Sequence, residues 1–593
     1  MAALIEVENW GVTFGRRARS MTTCIRDIDF SLGAGEVLGI VGASGTGKSV
    51  TIQSLIGLYD HRLTHIHPDA SVKLLGVDAL AGKRTYHAYQ KRLRPLLRGR
   101  VGMVFQDHRA LMNPLKTVGQ HFRDAARLAG IPYTRRRVQE TLRKAGCAVA
   151  DEESLSAWLR KVPRQLSGGE AQRVQIAISL LSPHLELLIC DEVTSNLDTH
   201  NQWRIIRLLQ RLHREQGIAL LFISHDWDQI QTLSDRILVL RKEGNVGVPY
   251  TTLTKEQSLD EDRLRQDETI SQLLPLYHDV EQSQAQRDRE PLIEARDLRK
   301  SFHGREVLHG VSLSVYPGER YALIGESGSG KSTLARMILG VERMSDTSGD
   351  LRVMGRSRLE WDGYDSKIQM VFQNFSEAVN PYMTSGRHLE ALLKVNPHGD
   401  RAEADDWMRD LGIEDCREKT TGQMSGGEKR RLGLVETFSV HPKLILADEP
   451  TAGLDKARQS FFLKKMEAYR IAKADEAVTE FMISHDLHLV GSYAERIGVL
   501  YSGHLVQEAE AACLLADDVP FLHPYSELLL RAKDLELDEN EDEDEDDTPE
   551  SAAMGCCYYA ACHRRHKVNC EYRDRVPPRT EHQGGWSLCP YPV

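Results

Sequence analysis

A phosphate-loop pattern that occurs twice in register constrains this chain more than any other feature. GASGTGKS at Gly42 to Ser49 returns 283 residues later as GESGSGKS at Gly325 to Ser332. In the same order each half then carries VFQ (Gln106; Gln373), SGGE (Ser167 to Glu170; Ser425 to Glu428), Asp-Glu (Asp191, Glu192; Asp448, Glu449) and ISHD (His225; His485). The intervals agree as well: Ser167 to Asp191 is 24 residues and Ser425 to Asp448 is 23, while Asp191 to His225 is 34 and Asp448 to His485 is 37. Such a chain is two copies of one unit of about 250 residues. At 593 residues it is also too long for a single hydrophobic core.

The expected division places a first unit at 1–254, a charged linker at 255–290, a second unit at 291–532, an acidic spacer at 533–551 and a cysteine-rich tail at 552–593. Composition is that of a soluble protein, with 41% hydrophobic and 27% charged residues. The start, MAALIEVENW, has neither a basic nor an apolar segment of a signal peptide, and no run approaches the roughly 18 apolar residues of a spanning helix. A cytosolic chain is expected. The net charge of -10 is local, because Asp534 to Asp547 holds eleven carboxylates and leaves the remainder at +1. That run reads as a solvated spacer.

Each glycine-rich loop follows an apolar strand (Val37 to Val41; Tyr321 to Ile324) and precedes an amphipathic helix (Ser49 to Leu58; Ser332 to Leu339). Gly42, Gly45 and Gly47, like Gly325, Gly328 and Gly330, allow a tight backbone path whose N–H groups, with Ser44 and Ser327, face a phosphate chain. Lys48 and Lys331 add a point charge, and Ser49 and Ser332 offer a hydroxyl to Mg2+. The runs LELLIC (Leu185 to Cys190) and KLILA (Lys443 to Ala447) read as buried parallel strands delivering Asp191 and Asp448 to the same Mg2+. Glu192 and Glu449 follow directly, placed to polarise an attacking water, and His225 and His485 are expected at the γ-phosphate.

These motifs resemble the ATP-binding cassette (ABC) family over about residues 1 to 530, and SGGE is the element other phosphate-loop enzymes do not need. The resemblance implies an α/β fold: two tandem nucleotide-binding domains, each with a helical subdomain, plus a small cysteine-rich extension. It also implies a head-to-tail cassette dimer within the chain. Ser425, Gly426 and Gly427 would complete the ATP site on Lys48, and Ser167, Gly168 and Gly169 the site on Lys331. SNLD (Ser195 to Asp198) and AGLD (Ala452 to Asp455) would link the sites, and Gln106 and Gln373 would touch Mg2+. Phe14 and Phe302 resemble adenine-stacking aromatics, a reading matched by that of buried strand aromatics. Val193 stands where the family usually has proline.

Three segments narrow the resemblance to the oligopeptide, dipeptide and nickel importer ATPases: LRGRVGMVFQDHRALMNPLKTVGQH (Leu97 to His121), His523-Pro524-Tyr525, and the tail from Gly555 to Pro590. The last is similar to an extension that holds an iron-sulfur cluster in some members. Matched by spacing, its ligands would be Cys556, Cys562, Cys570 and Cys589, with Cys557 extra. Four thiolates fit [4Fe-4S] or zinc, His563, His566 and His582 leave a mixed zinc site open, and a metal-free tail is the third reading.

The resemblance implies an ATPase coupled to transmembrane transport of peptides, or of nickel or metal chelates. It would sit peripherally on the cytoplasmic face of the inner membrane, with two permease subunits and, indirectly, a solute-binding protein as partners. The rival is a soluble twin-cassette ATPase acting on ribosomes, or on a soluble enzyme complex such as one of phosphonate breakdown. No nucleic-acid partner is expected, because the linker is acidic overall and a solvated face explains KRLRPLLRGR (Lys91 to Arg100).

Overall fold

The computed structural model describes residues 3–16, 21–81, 85–105, 112–195, 197–274, 288–358, 365–372, 375, 379–396, 399–451, 456–473, 478–516, 522–533, 556–558, 562, 577, 579–582 and 585–589. Two compact units emerge, Met1–Pro275 with Gly453–Gln459, and Leu276–Ala452 with Ser460–Val593.

In the first unit five parallel strands run in the order Val101–Val104, Leu187–Asp191, Ala219–Ile223, Val37–Val41, Arg236–Glu243. The three central strands are buried at every position. Their uninterrupted apolar runs follow from a sheet covered on both faces. On one face Leu38, Ile40, Ile189 and Leu221 pack with Ile5, Trp10 and Ile28 of the antiparallel strands Ala3–Phe14 and Thr22–Gly33. On the other, Leu188, Leu220 and Phe222 share a core with Phe122, Val138, Leu142, Leu155 and Val174. Those residues come from the helices Val118–Ala129, Arg135–Lys144, Glu152–Arg160 and Gly168–Ser179, the helical subdomain. Each such side chain contributes roughly 1.5–3 kcal/mol on burial. The stretch after 254 forms three short helices, and its Leu264, Ile270, Leu273 and Leu274 are buried in this same core.

The second unit repeats the order with Ile368–Val371, Leu444–Asp448, Thr479–Ile483, Arg320–Ile324 and Arg496–Tyr501, all parallel. Its helices Ser385–Val395, Arg401–Asp410 and Gly426–Phe438 build the corresponding subdomain. In both units the strand ending in Asp lies two places from the strand feeding the glycine loop, and the strand ending before the ISHD histidine lies between them. Parallel strands open at their carboxyl ends, so the motifs converge on one edge.

The tail departs from the expected cysteine-rich module. Gly585–Ser587 adds to the second sheet, pairing antiparallel with Gln507 to Ala509, and Thr580–His582 pairs with it in turn. Trp586 is buried in the second core, and its indole N–H donates to Glu508 Oε2 at 3.0 Å. The expected iron-sulfur or zinc ligands are not brought together in the described part of the tail: among the described residues no group of three or more His, Cys, Asp or Glu is arranged to hold a metal. Cys556, Cys562 and Cys589 are half-buried, whereas Cys570, His563, His566 and the acidic run from Asp534 lie outside the described residues. Apolar burial and sheet pairing anchor the described end of this tail.

Candidate nucleotide-hydrolysis sites

The helices behind the two glycine loops begin at Lys48 and Lys331, each preceded by a glycine in the left-handed region, Gly47 at φ 85° and Gly330 at φ 106°. A Cβ on Gly47 would meet Ile25 Cγ2 at 2.3 Å, and one on Gly330 would meet Leu308 Cδ2 at 2.7 Å. Both backbone angle and space therefore require glycine. Neither helix start is capped by a side chain. Their first N–H groups and the positive end of each helix dipole are left to face an anion.

Each lysine is hydrogen-bonded to carbonyls of its own loop. Lys48 Nζ donates to Gly42 O at 2.6 Å and Ala43 O at 3.2 Å, and Lys331 Nζ donates to Gly325 O at 2.8 Å and Glu326 O at 2.6 Å. The adjacent hydroxyls meet the aspartates as expected of a shared metal: Ser49 Oγ donates to Asp191 Oδ1 at 2.8 Å and Ser332 Oγ to Asp448 Oδ1 at 3.1 Å. Burial raises both aspartates above the ordinary range despite these bonds. A buried carboxylate disfavoured in its charged form gains when a cation approaches, so the donor set fits Mg2+.

Glu192 and Glu449 follow in the left-handed region at φ 49° and 46°. For a side chain with a Cβ this is strain of order 1–3 kcal/mol, retained where the surroundings enforce it. The Glu192 N–H donates to Ile223 O and the Glu449 N–H to Ile483 O, both at 2.9 Å, which ties each glutamate to the strand before its histidine. His225 Nδ1 lies 3.7 Å from Glu192 Oε2, and His485 Nδ1 3.2 Å from Glu449 Oε1. Lys48 Nζ lies 4.0 Å from Glu192 Oε1. Burial pushes Glu192 up, but His225, Lys48 and Ser195 outweigh it and hold the carboxyl below the ordinary glutamate value. It is a carboxylate at neutral pH.

The two SGGE segments are helix starts closed by capping boxes. Ser167 Oγ accepts from the Glu170 N–H at 3.1 Å while Glu170 Oε2 accepts from the Ser167 N–H at 2.7 Å, and Ser425 with Glu428 repeats this at 3.2 and 2.7 Å. Lys161 and Lys419 hold the two glutamates at 2.9 and 3.0 Å. The backbone bond from Ser425, with Lys419 and Cys416 behind it, lowers Glu428 to about 2. Gly168, Gly169, Gly426 and Gly427 form the first turn.

Phe14 ends a strand against the first core and meets Tyr59 edge-on at 4.9 Å, and Phe302 ends the matching strand under Lys300 Nζ at 4.9 Å. Gln106, Gln373, Asn196 and Ala452 to Asp455 lie outside the described residues. Motif reading missed Gln53, whose amide donates to Asp191 Oδ2 at 3.0 Å from one helical turn past Ser49. Its counterpart in the second unit is Arg336, whose charge acts on Asp448. Helical spacing would have found both. Ser195, donating to Glu192 Oε2 at 3.3 Å, was legible only as part of SNLD.

A family model described as ABC transporter matches residues 25–195 and 308–452. The chain is 30% identical over 545 residues to the uncharacterized ABC transporter ATP-binding protein YejF of Escherichia coli K12, covering 86% of this chain and 97% of that one. It is 29% identical over 576 residues to the glutathione import ATP-binding protein GsiA of Pectobacterium atrosepticum, covering 89% of each. Among solved structures it resembles the archaeal ribosome recycling factor aABCE1 in complex with the stalk protein aP1, at a TM-score of 0.57 and 22% identity, covering 83% of this chain and 88% of that one.

That likeness, which is one of fold, corrects the expectation of a membrane-coupled importer. The same twin-cassette fold is found in that ribosome recycling factor over 83% of this chain, so the architecture by itself does not entail permeases. Coupling to transmembrane transport, translocase and peptide-transport activity, and a peripheral place on the membrane are therefore not entailed by this fold. Among the described residues no helix is long and apolar enough to cross a membrane. ATP hydrolysis is untouched by the correction. With the family model matched in both halves and a relative 30% identical over 86% of this chain, this chain belongs to the ABC transporter family as a fused tandem ATP-binding protein similar to YejF and GsiA.

Proposed function

We propose that the chain is a twin-cassette ATPase with two competent sites, and that its strokes act on a soluble macromolecular assembly, the ribosome first. The observation that carries the hydrolytic reading is the strained glutamate held against a histidine in both units, Glu192 with His225 and Glu449 with His485. Lys48 and Lys331 turn from their own loop carbonyls to the β- and γ-phosphates. Ser49 with Asp191, and Ser332 with Asp448, hold Mg2+, which would neutralise phosphate charge. Gln106 and Gln373 complete that set. Glu192 and Glu449 orient and deprotonate the attacking water, and His225 and His485 contact the γ-phosphate. Phe14 and Phe302 stack on adenine.

In the closed state the SGGE segment of each cassette caps the nucleotide on the other: Ser425, Gly426 and Gly427 over the Lys48 site, and Ser167, Gly168 and Gly169 over the Lys331 site. The capping boxes support this, because they hold each helix start, with its two glycines, in one fixed geometry. Two ATP close the pair, and hydrolysis releases it. The soluble target is supported by the twin-cassette fold shared with a ribosome recycling factor.

The test is affinity purification of the Glu192→Gln, Glu449→Gln chain from detergent-solubilised native cells with ATP present, followed by sedimentation of what is captured. Co-sedimentation with ribosomal subunits supports the reading. Capture of multi-spanning permeases contradicts it.

A further inference from the structure

The peptide group between Gly325 and Glu326 is bonded on both sides. Its carbonyl, Gly325 O, accepts from Lys331 Nζ at 2.8 Å, and its N–H, on Glu326, donates to Tyr525 Oη at 2.9 Å. One side of this plane is thus held by the lysine of the phosphate loop and the other by a tyrosine from outside it. Gly325 has little freedom of its own: a Cβ there would meet Leu500 O at 2.1 Å. Tyr525 lies 199 residues from the loop it touches, in the His523-Pro524-Tyr525 turn that opens the helix Pro524–Lys533.

The turn is fixed by its own bonds and by the tail. The Tyr525 N–H donates to His523 Nδ1 at 3.1 Å, and the His523 N–H donates to Gln507 Oε1 at 3.0 Å. Tyr525 is fully buried, its ring 4.6 Å from Tyr501 and 5.6 Å from Tyr558. Tyr558, beside Cys557 in the tail, is buried too, 5.0 Å from Tyr501 at an interplanar angle of 88°. The tail's last strand pairs with Gln507 itself through Ser587. The tail thus packs on both supports of the residue that holds the loop.

We propose that Tyr525 is a positioning residue of the second phosphate loop, and that the tail, through Tyr558, keeps it in place, so that the second ATP site answers to the tail. The proposal rests on nucleotide binding at Lys331. The sequence confines the device to one half, for the His-Pro-Tyr triplet occurs once, near the end of the second unit. The two ATP sites would then differ in affinity control although their hydrolytic residues match.

The experiment uses the full-length chain in two backgrounds, Lys48→Ala to leave only the second site and Lys331→Ala to leave only the first, with a fluorescent ATP analogue as probe. Tyr525→Phe keeps the ring and removes the hydroxyl. It should weaken binding about fivefold in the Lys48→Ala background, as expected for one lost hydrogen bond, and leave the Lys331→Ala background unchanged. Steady-state turnover in a Glu192→Gln chain, which keeps both nucleotide sites and only the second glutamate, should show a raised KM with kcat retained. Tyr558→Leu, which keeps apolar volume, should weaken the same site and add less than its own effect when combined with Tyr525→Phe. Unchanged affinity at the second site, equal loss at both sites, or full additivity overturns the proposal. Failure of the Lys48→Ala chain itself to bind the probe overturns the nucleotide reading of Lys331 instead.

Discussion

His485 Nδ1 stands 3.2 Å from Glu449 Oε1, and both residues are reached from the same strand edge, since the Glu449 N–H donates to Ile483 two residues before the histidine. The pairing recurs at His225 and Glu192 with a longer 3.7 Å separation. A histidine that restrains a strained carboxylate governs both its direction and its charge.

Replacing His225 with Ala tests the second of these. Burial alone pushes Glu192 up, and His225 is the foremost of the groups that bring it down. Its removal should raise the Glu192 pKa, so the acid limb of the first site's pH–rate profile, measured in a Glu449→Gln chain that still binds two ATP, should move to higher pH. An acid limb that stays in place while turnover falls would show that the histidine acts on the phosphate alone.

Gly330→Ala should cripple the second site. At φ 106° and with Leu308 Cδ2 2.7 Å from the added Cβ, the loop must shift. ATP binding in a Lys48→Ala chain should fall by at least about tenfold, equivalent to 1.4 kcal/mol, from the backbone penalty alone. Titration with the fluorescent analogue measures this directly.

The phosphate loops, the buried strands and the paired Ser–Asp contacts were legible in the sequence because each needs fixed residue types at fixed local spacing. Gln53 was legible in principle and overlooked, since it carries no motif and is found only by counting one helical turn past Ser49. The left-handed backbone of Glu192 and Glu449 was not legible: nothing in the residue type announces it, and the packing of adjacent strands imposes it. The docking of the tail was not legible: Gly585 to Ser587 carries no motif, and its short strand and buried tryptophan are seen only where they meet a sheet edge more than seventy residues away.

Glu428→Gln keeps the shape of the signature capping box and removes its charge. The carboxyl is lowered from 4.5 to about 2, so the stability it contributes is complete above about pH 4.5 and is lost as pH falls toward about 2. The difference in melting temperature between wild type and variant should therefore be largest above pH 4.5 and shrink below it. A difference that grows on acidification would contradict the capping role.

Trp586→Ala should release the tail from the second sheet. Truncating a buried tryptophan costs about 3–5 kcal/mol, and here the indole bond to Glu508 is lost as well. Limited proteolysis should cut the variant between residues 533 and 593 much faster than wild type, while cutting within the first unit is unchanged.

The most direct test of two competent sites is nucleotide stoichiometry in the Glu192→Gln, Glu449→Gln chain. With MgATP it should retain close to two ATP per chain after rapid desalting and release no phosphate, whereas wild type turns over. Retention of one ATP, or continued hydrolysis in the double variant, would contradict the assignment of these two glutamates as equivalent bases.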